Sequence, residues 1–125
     1  MNKLISVLVV AVLAALAACS TAPPVNVTTV RNDPNANLSV IRDRGAAAGL
    51  GSFAVYDGES ELGRLWPSHG MNVHLSPGVH TIAIAPVSFG IPARTVDFVK
   101  VTITDQLQTM RLFIPGGGVA RLALQ

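Results

Sequence analysis

Three histidines are the side chains best suited to metal chemistry in this chain: His69, His74 and His80. If residues 76–78 form a three-residue hairpin loop, His74 opposes His80 with Cβ atoms about 5 Å apart, close enough to share a metal ion. A two-residue turn at Pro77-Gly78 would separate the two rings instead. Because no acidic residue or cysteine is placed to complete a ligand set, we expect no metal site. We interpret His80 as a structural residue that hydrogen-bonds near the turn.

Hydroxyl and carboxylate groups offer two further sites for chemistry. Ser68-His69 places a hydroxyl beside an imidazole, but sequence neighbours rarely adopt triad geometry, and no G-x-S-x-G elbow surrounds this serine. Glu59 and Glu61 lie beside a predicted hairpin turn, where exposed acids are ordinary, and a domain of this size offers little cleft for a sugar between them. The sequence therefore predicts a protein that is not an enzyme and uses no cofactor.

Trp66 is the residue most suited to binding a partner. It is the only tryptophan and stands at a predicted strand end before Pro67, where an aromatic side chain can act as an exposed anchor. The alternative, which the small number of aromatic residues favours, is a rim residue that caps the core. We take Trp66, together with His69 in the following loop, as the candidate binding residues.

The only cysteine, Cys19, follows an apolar segment that runs from Leu4 to Ala18 and is interrupted only by Ser6. A lone cysteine in an oxidising compartment is either reactive or modified. Lys3 gives the N-terminus a positive charge, and the apolar segment is shorter than the roughly 20 residues that span a bilayer. This arrangement is typical of a cleaved targeting signal.

The run Leu16-Ala17-Ala18-Cys19 resembles the lipobox of bacterial lipoprotein signal peptides at all four positions. The resemblance implies that residues 1–18 are removed and that Cys19 carries a diacylglycerol and an N-acyl chain, which together anchor a protein nearly permanently. Ser20, in place of Asp, fits sorting to the outer membrane, with the protein facing either the periplasm, which we favour, or the cell surface. The alternatives are a signal anchor, or a secretory signal in which Cys19 is incidental.

The charge balance argues against a nucleic-acid partner, although the sequence pI is about 9.2. Of the nine Lys and Arg, Lys3 lies in the leader, which leaves eight basic residues against seven Asp and Glu. These charges are spread singly, whereas nucleic-acid binders of this size concentrate basic residues in a cluster.

The elements that position these residues are predicted to be short strands behind a tether. Residues 19–35 contain three prolines and no amphipathic period, which predicts an extended, flexible tether, although the alternation at residues 25–28 could add an edge strand. In residues 36–125, turn signals recur at intervals of about 8–12 residues and no helical period is sustained. The prediction is an all-β fold, a small antiparallel β-sandwich of about seven or eight strands.

Turn residues set the individual strand predictions. Asp57-Gly58 predicts a tight turn between strands at residues 53–56 and 61–66. Residues 71–75 alternate between apolar and polar, as in a half-buried strand, and residues 76–78 turn the chain into the next strand. Residues 86–94, with two prolines and a glycine, are predicted to be a loop.

A second resemblance covers most of the domain. Its motifs are Phe53-Ala54-Val55-Tyr56-Asp57-Gly58, Leu62-Gly63-Arg64-Leu65, Leu75-Ser76-Pro77-Gly78 and His80-Thr81, with Arg42 near the end of the first strand. They resemble a family of small bacterial lipoproteins whose domain has no assigned function, and are similar to PEGA-type surface domains. The resemblance implies an antiparallel sandwich of immunoglobulin-like or prealbumin-like kind and brings no catalytic residues.

These observations predict a non-enzymatic envelope lipoprotein that serves as a binding or structural module. The expected partners are the membrane, through the lipid on Cys19, and an envelope protein or glycan, bound through an edge strand or the loop around Trp66. The alternative is a small periplasmic inhibitor or accessory subunit of a hydrolase or secretion machine, which would insert residues 86–94 into its partner.

Overall fold

The computed structural model describes residues 27–44, 51–116 and 118–125. They form ten β-strands in two sheets that share one apolar core, and the described ranges contain no helix. The predicted all-β sandwich is therefore confirmed, with more strands than expected. Residues 1–26, which include the predicted leader and Cys19, lie outside the described residues.

The first sheet has the strand order β1-β5-β2-β9-β10. Its strands are β1 (Thr28–Asn32), β5 (His69–Val73), β2 (Leu38–Arg42), β9 (Gln108–Phe113) and β10 (Arg121–Leu124). The β1–β5 and β2–β9 pairs are parallel, and the other two pairs are antiparallel. Parallel neighbours need a crossover connection, which the chain makes here by passing through the second sheet.

The second sheet is organised around one long strand. It contains β4 (Ser60–Leu65), β3 (Phe53–Asp57), β6 (Gly78–Ser88), β7 (Ile91–Pro92) and β8 (Asp97–Ile103). β6 pairs with β3 along one edge, and with β8 and then β7 along the other. All pairings in this sheet are antiparallel.

The predicted turn between β3 and β4 forms, shifted by one residue from Asp57-Gly58. Asp57 pairs with Ser60, which leaves Gly58 and Glu59 as the two loop residues. Gly58 takes a φ of 58°, the left-handed value that a primed hairpin turn requires at its first central position.

The expected hairpin between β5 and β6 does not exist. β5 belongs to the first sheet and β6 to the second, so residues 74–77 carry the chain from one sheet to the other. Met71 and Val73 face the core from one side, and Ile82 and Ile84 face it from the other. Apolar alternation identifies the buried face of each strand, but it does not say which sheet the strand joins.

The folded part begins before the predicted boundary at residue 36. Residues 28–32, inside the segment expected to be a tether, form β1 and pair in parallel with β5. The β-branched run Thr28-Thr29-Val30 explains this, because such residues favour strands. The backbone N–H of Thr28 donates to the Ser68 carbonyl at 2.9 Å.

The core is built from inward side chains of both sheets. It includes Leu38, Val40, Val55, Leu65, Met71, Val73, Ile82, Ile84, Ile103, Met110 and Leu112, each at most 1 % exposed.

The connections gather at two ends of the sandwich. The upper end holds the start of β1, residues 66–68 between β4 and β5, and the tip between β6 and β7. The strand register shows that these lie at the same end, because Phe53 pairs with both Leu65 and Pro86, and Thr28 pairs with His69. The lower end holds residues 33–37, 58–59, 74–77 and 104–107, which connect the opposite ends of the strands.

Candidate binding surface

Trp66 presents about half of its surface to solvent, with 53 % of the residue exposed. The preceding residue, Leu65, is completely buried as the last residue of β4. The indole therefore lies at the edge of the core, with about half of the residue's surface exposed to solvent at the upper end.

A tight turn holds Trp66 in place. The N–H of His69 donates to the Trp66 carbonyl at 3.0 Å, which closes a four-residue turn with Pro67 and Ser68 at its centre. Ser68 takes a φ of 62°, the left-handed value found at the third position of a type II turn, where proline commonly precedes it. The N–H of Trp66 donates to Nδ1 of His69 at 3.3 Å. His69 therefore positions the turn that carries Trp66.

Residues 86–94, predicted to be a loop, are mostly a hairpin. β6 continues to Ser88, which pairs with Ile91 of β7, so Phe89 and Gly90 form a two-residue turn. Their φ values are 51° and 76°. Two left-handed central residues define a type I′ turn, which matches the twist of the flanking strands.

Phe89 is an unusual residue for the tip of this hairpin. A non-glycine residue in the left-handed region costs about 1–2 kcal/mol, and Phe89 gains no compensating burial because its side chain is fully exposed. The neighbouring Ile91 is 70 % exposed. Such local strain typically persists where it serves a function.

Trp66 and Phe89 line one shallow groove of about 380 Å³. Arg64 crosses this groove: its Nη1 donates to the Gly90 carbonyl at 2.9 Å, and its Nε donates to Glu61 Oε1 at 2.8 Å. The guanidinium thus links β4 to the hairpin tip. We call Trp66, Phe89, Ile91 and Arg64 the aromatic tip.

A buried arginine supports the aromatic tip from below. Arg42 is 3 % exposed, and its Nη1 donates to the carbonyls of Gly51 at 2.6 Å and Leu65 at 2.8 Å. Its guanidinium also lies 4.9 Å from the centre of the Phe53 ring. Because burial disfavours the charge, the pKa of Arg42 is lowered from its ordinary value. These bonds fix the residue that precedes Trp66 and one wall of the groove.

No carboxylate balances the charge of Arg42. All seven acidic residues of the chain lie in the described ranges, and the ion pairs found there join Asp33 to Arg31, Asp43 to Arg111, Asp57 to His80, Glu61 to Arg64 and Asp97 to Arg121. Among the described residues, the Arg42 charge is therefore stabilised by carbonyl dipoles and an aromatic face.

The chain matches no protein-family model, no curated protein and no solved structure. Among the described residues, no helix is long and apolar enough to cross a membrane.

The three histidines do not converge. Nδ1 of His74 contacts the Asn35 carbonyl at 2.8 Å at the lower end, whereas His69 belongs to the upper-end turn. The predicted option of His74 opposite His80 is wrong, because His74 lies in the connection that follows β5 and His80 lies in β6 of the other sheet. Across residues 27–44, 51–116 and 118–125, no group of three or more His, Cys, Asp or Glu could hold a metal.

His80 makes the structural hydrogen bond that the sequence predicts, and a second one. Its Nε2 lies 2.6 Å from the Ser76 carbonyl and its Nδ1 lies 2.8 Å from Asp57 Oδ2. Both partners are acceptors, so both ring nitrogens donate and the imidazolium is favoured. Burial opposes the charge most strongly, but the Ser76 carbonyl and the Asp57 carboxylate together outweigh it, and the pKa of His80 is raised.

Phe89 and Ile91 were not predicted individually as binding residues, although both lie in residues 86–94, which the alternative function inserts into a partner. The available signal is a Phe89-Gly90 pair between apolar residues, but two-residue hairpin turns are usually recognised by Asn-Gly or Asp-Gly. Cys19 lies outside the described residues, and its lipidation stays a prediction from the lipobox.

Proposed function

We propose that this protein is a non-enzymatic lipoprotein of the bacterial envelope, anchored in the outer membrane through acylated Cys19 and facing the periplasm. In this proposal the β-sandwich is a binding module. The lipobox supports the anchor, and the internal bonding of the histidines supports a non-catalytic role, since His69 and His80 serve a turn and a crossover.

One observation carries the binding role: Trp66 and Phe89 line the same groove, and both are exposed on tight turns, with the exposed Ile91 next to the Phe89 turn. Large exposed apolar side chains next to an arginine are typical of residues that dominate binding energy. The backbone strain at Phe89 adds to this, because the fold gains nothing from an aromatic residue there.

Metabolic labelling with palmitate tests the anchor. We expect label on the wild-type protein and none on Cys19→Ala, with the wild type recovered in the outer-membrane fraction. An unlabelled wild-type protein would refute the anchor.

Site-specific photocrosslinking tests the binding module in intact cells. Phe89→p-benzoylphenylalanine places a crosslinker on the aromatic tip, and Leu107→p-benzoylphenylalanine serves as the matched control, because Leu107 is equally an exposed apolar residue, 60 % exposed, at the lower end. We expect adducts with envelope material from position 89 only. Absence of adducts from position 89, or equal adducts from both positions, would refute a binding role for the aromatic tip.

The second candidate is a periplasmic inhibitor or accessory subunit that inserts the 86–94 hairpin into a partner's cleft. The full exposure of Phe89 at the end of a two-residue turn favours it, because such a tip can enter a narrow cleft. This function predicts that position 89 crosslinks to a single hydrolase or secretion component in a defined complex.

A further inference from the structure

The chain that leads from Cys19 meets the fold at the upper end. β1 begins at Thr28, whose N–H donates to the Ser68 carbonyl at 2.9 Å and which pairs with His69. Ser68 and His69 belong to the turn that carries Trp66. The connection to the predicted anchor therefore arrives directly beside the aromatic tip.

The upper end is the part of the fold nearest to the anchor along the chain. Thr28 follows Cys19 by nine residues, and a fully extended chain of that length reaches about 30 Å. Trp66 belongs to the turn whose Ser68 carbonyl accepts from the Thr28 N–H, whereas the chain reaches the lower end only after the five residues of β1. The aromatic tip therefore lies closer to the point where the tether joins the fold than the lower end does.

The exposed charges without an ion-pair partner include two arginines. Arg44 follows β2 at the upper end, and Arg94 lies in the segment between β7 and β8; both are exposed and have no carboxylate within ion-pair distance in the part of the chain that the structure describes. The unpaired acids of that part are Asp105 and Glu59 at the lower end, and Glu59 shares a shallow pocket with the segment that holds Arg94. Arg44, with Arg94 on the segment after the hairpin tip, therefore complements an anionic surface.

We propose that the aromatic tip docks onto the lipid surface that Cys19 anchors, with Trp66, Phe89 and Ile91 in the headgroup region and Arg44 and Arg94 against anionic headgroups. The proposal rests on the proposed lipidation of Cys19 and adds an orientation to it. Tryptophan is favoured at membrane interfaces because its ring is apolar and its N–H is polar. A basic residue near such a surface is attracted to anionic lipid. The docked domain lies against the bilayer and directs its lower end towards the aqueous compartment.

Trp66 is the only tryptophan of the chain, so its fluorescence reports directly on the aromatic tip. The experiment uses the full chain, acylated in cells and purified, in vesicles of phosphatidylethanolamine and phosphatidylglycerol. Lipids with brominated acyl chains quench a tryptophan that enters the bilayer, and aqueous iodide quenches one that does not. We expect strong quenching of Trp66 by brominated lipid and protection from iodide.

Two pairs of variants separate docking from simple proximity to the vesicle. Phe89→Ser combined with Ile91→Ser is expected to remove most of the brominated-lipid quenching. Val79→Ser combined with Leu107→Ser, at lower-end residues that are 70 % and 60 % exposed, is expected to leave the quenching unchanged. Trp66→Phe combined with Leu107→Trp moves the reporter to the lower end, where we expect quenching by iodide and none by brominated lipid.

The electrostatic component is tested by composition. Replacing phosphatidylglycerol with phosphatidylcholine, or changing both Arg44→Gln and Arg94→Gln, is expected to weaken the quenching by brominated lipid. Equal quenching on neutral vesicles would overturn the role of the two arginines.

Distinct outcomes separate the two proposals. A chain that carries no acyl group on Cys19 refutes the proposed anchor, and the docking with it. An acylated chain whose Trp66 is as accessible to iodide on vesicles as the Leu107→Trp reporter refutes the docking alone. Protection of Trp66 that arises only when a solubilised envelope protein is added also refutes lipid docking, in favour of a protein partner.

Discussion

The two ends of the sandwich use their side chains in opposite ways. At the lower end, Asn37, Asp57 and His80 are hydrogen-bonded to neighbouring strands and connections. At the upper end, Trp66 and Phe89 extend into solvent, where burial gives them little to contribute to the fold. Polar residues at the lower end therefore stabilise the fold. Both ends expose aliphatic side chains, Val79 and Leu107 at the lower end among them, so it is the exposed aromatic rings of Trp66 and Phe89 that distinguish the upper end as a binding surface.

The lower end shows how a polar side chain can replace strand pairing. Asn37 is 3 % exposed; its Nδ2 donates to the Leu75 carbonyl at 2.8 Å, and its Oδ1 accepts from the Leu75 N–H at 2.9 Å. The amide thus satisfies a buried backbone unit just after β5 ends, where the chain leaves the first sheet. The crossover to β6 depends on this contact.

Asn37→Ala is expected to have the largest effect. It removes both hydrogen bonds and leaves the buried N–H and carbonyl of Leu75 without those partners, which costs about 2–4 kcal/mol. Urea denaturation measures the loss. Trp66 in the native state should keep its iodide accessibility, because Asn37 lies at the opposite end.

Asn72→Ala is the matched control for this prediction. The Asn72 amide donates to Asn32 Oδ1 at 3.1 Å on the outer face of the first sheet. We expect a change within about 0.5 kcal/mol, as for most surface substitutions. A similar loss in both variants would contradict the special role of Asn37.

The comparison also shows which features the sequence could predict. The β3–β4 hairpin was predictable because Asp57-Gly58 is a strong local signal. The assignment of β5 and β6 to different sheets was not predictable. The buried Leu75 continues the apolar alternation of β5, so the sequence pattern extends the strand past the residue where it ends. β1 was anticipated only as an alternative, an edge strand at residues 25–28, because prolines flank this segment and its pairing with β5 is a contact between distant parts of the chain.

The candidate site was predictable only in part. Trp66 and His69 stand out by residue type and position, and the structure links them in one turn. Phe89 joins Trp66 only through the register of β3 with both β4 and β6, which brings residues 66 and 89 to the same end. The proximity of Trp66 and Phe89 depends on the order of strands in the sheet, and local sequence patterns do not predict that order.

Stability is expected to fall as the pH rises, because of His80. Its pKa is raised in the folded protein above the ordinary value, so the folded state binds this proton more tightly than the unfolded state. The resulting stabilisation is fully present below the unfolded pKa of about 6.5 and is lost as the pH rises through the folded pKa. Urea midpoints measured between pH 6 and 9 should decline.

Two histidine variants check that His80 is responsible for this dependence. In His80→Gln the decline should flatten, and stability at pH 6 should drop by about 1–2 kcal/mol because two hydrogen bonds from a charged group are lost. His74→Gln, which changes a histidine on the connection that His80 contacts through the Ser76 carbonyl, should retain the decline. A slope that is unchanged in His80→Gln would overturn the assignment.

Phe89→Asn is expected to stabilise the protein while weakening its binding. Asparagine tolerates the left-handed region far better than phenylalanine, so about 1 kcal/mol should be recovered, which raises Tm by about 4–8 °C in a domain of this size. Phe89→Ala keeps the backbone strain and should recover little. Both variants should reduce lipid contact or crosslinking at the aromatic tip, and a destabilised Phe89→Asn would show that the fold requires the aromatic side chain.

Ser68→Gly is expected to have the smallest effect, and it tests whether the turn below Trp66 is also strained. Ser68 takes a φ of 62°, which glycine adopts without steric cost, although glycine loses more entropy on folding. The net gain should be about 0.5 kcal/mol, measured as a small rise in the urea midpoint, and Ser68→Ala should give none. Because the Thr28–Ser68 bond uses backbone atoms alone, Trp66 should remain docked in Ser68→Gly, in contrast to the loss expected for Phe89→Asn.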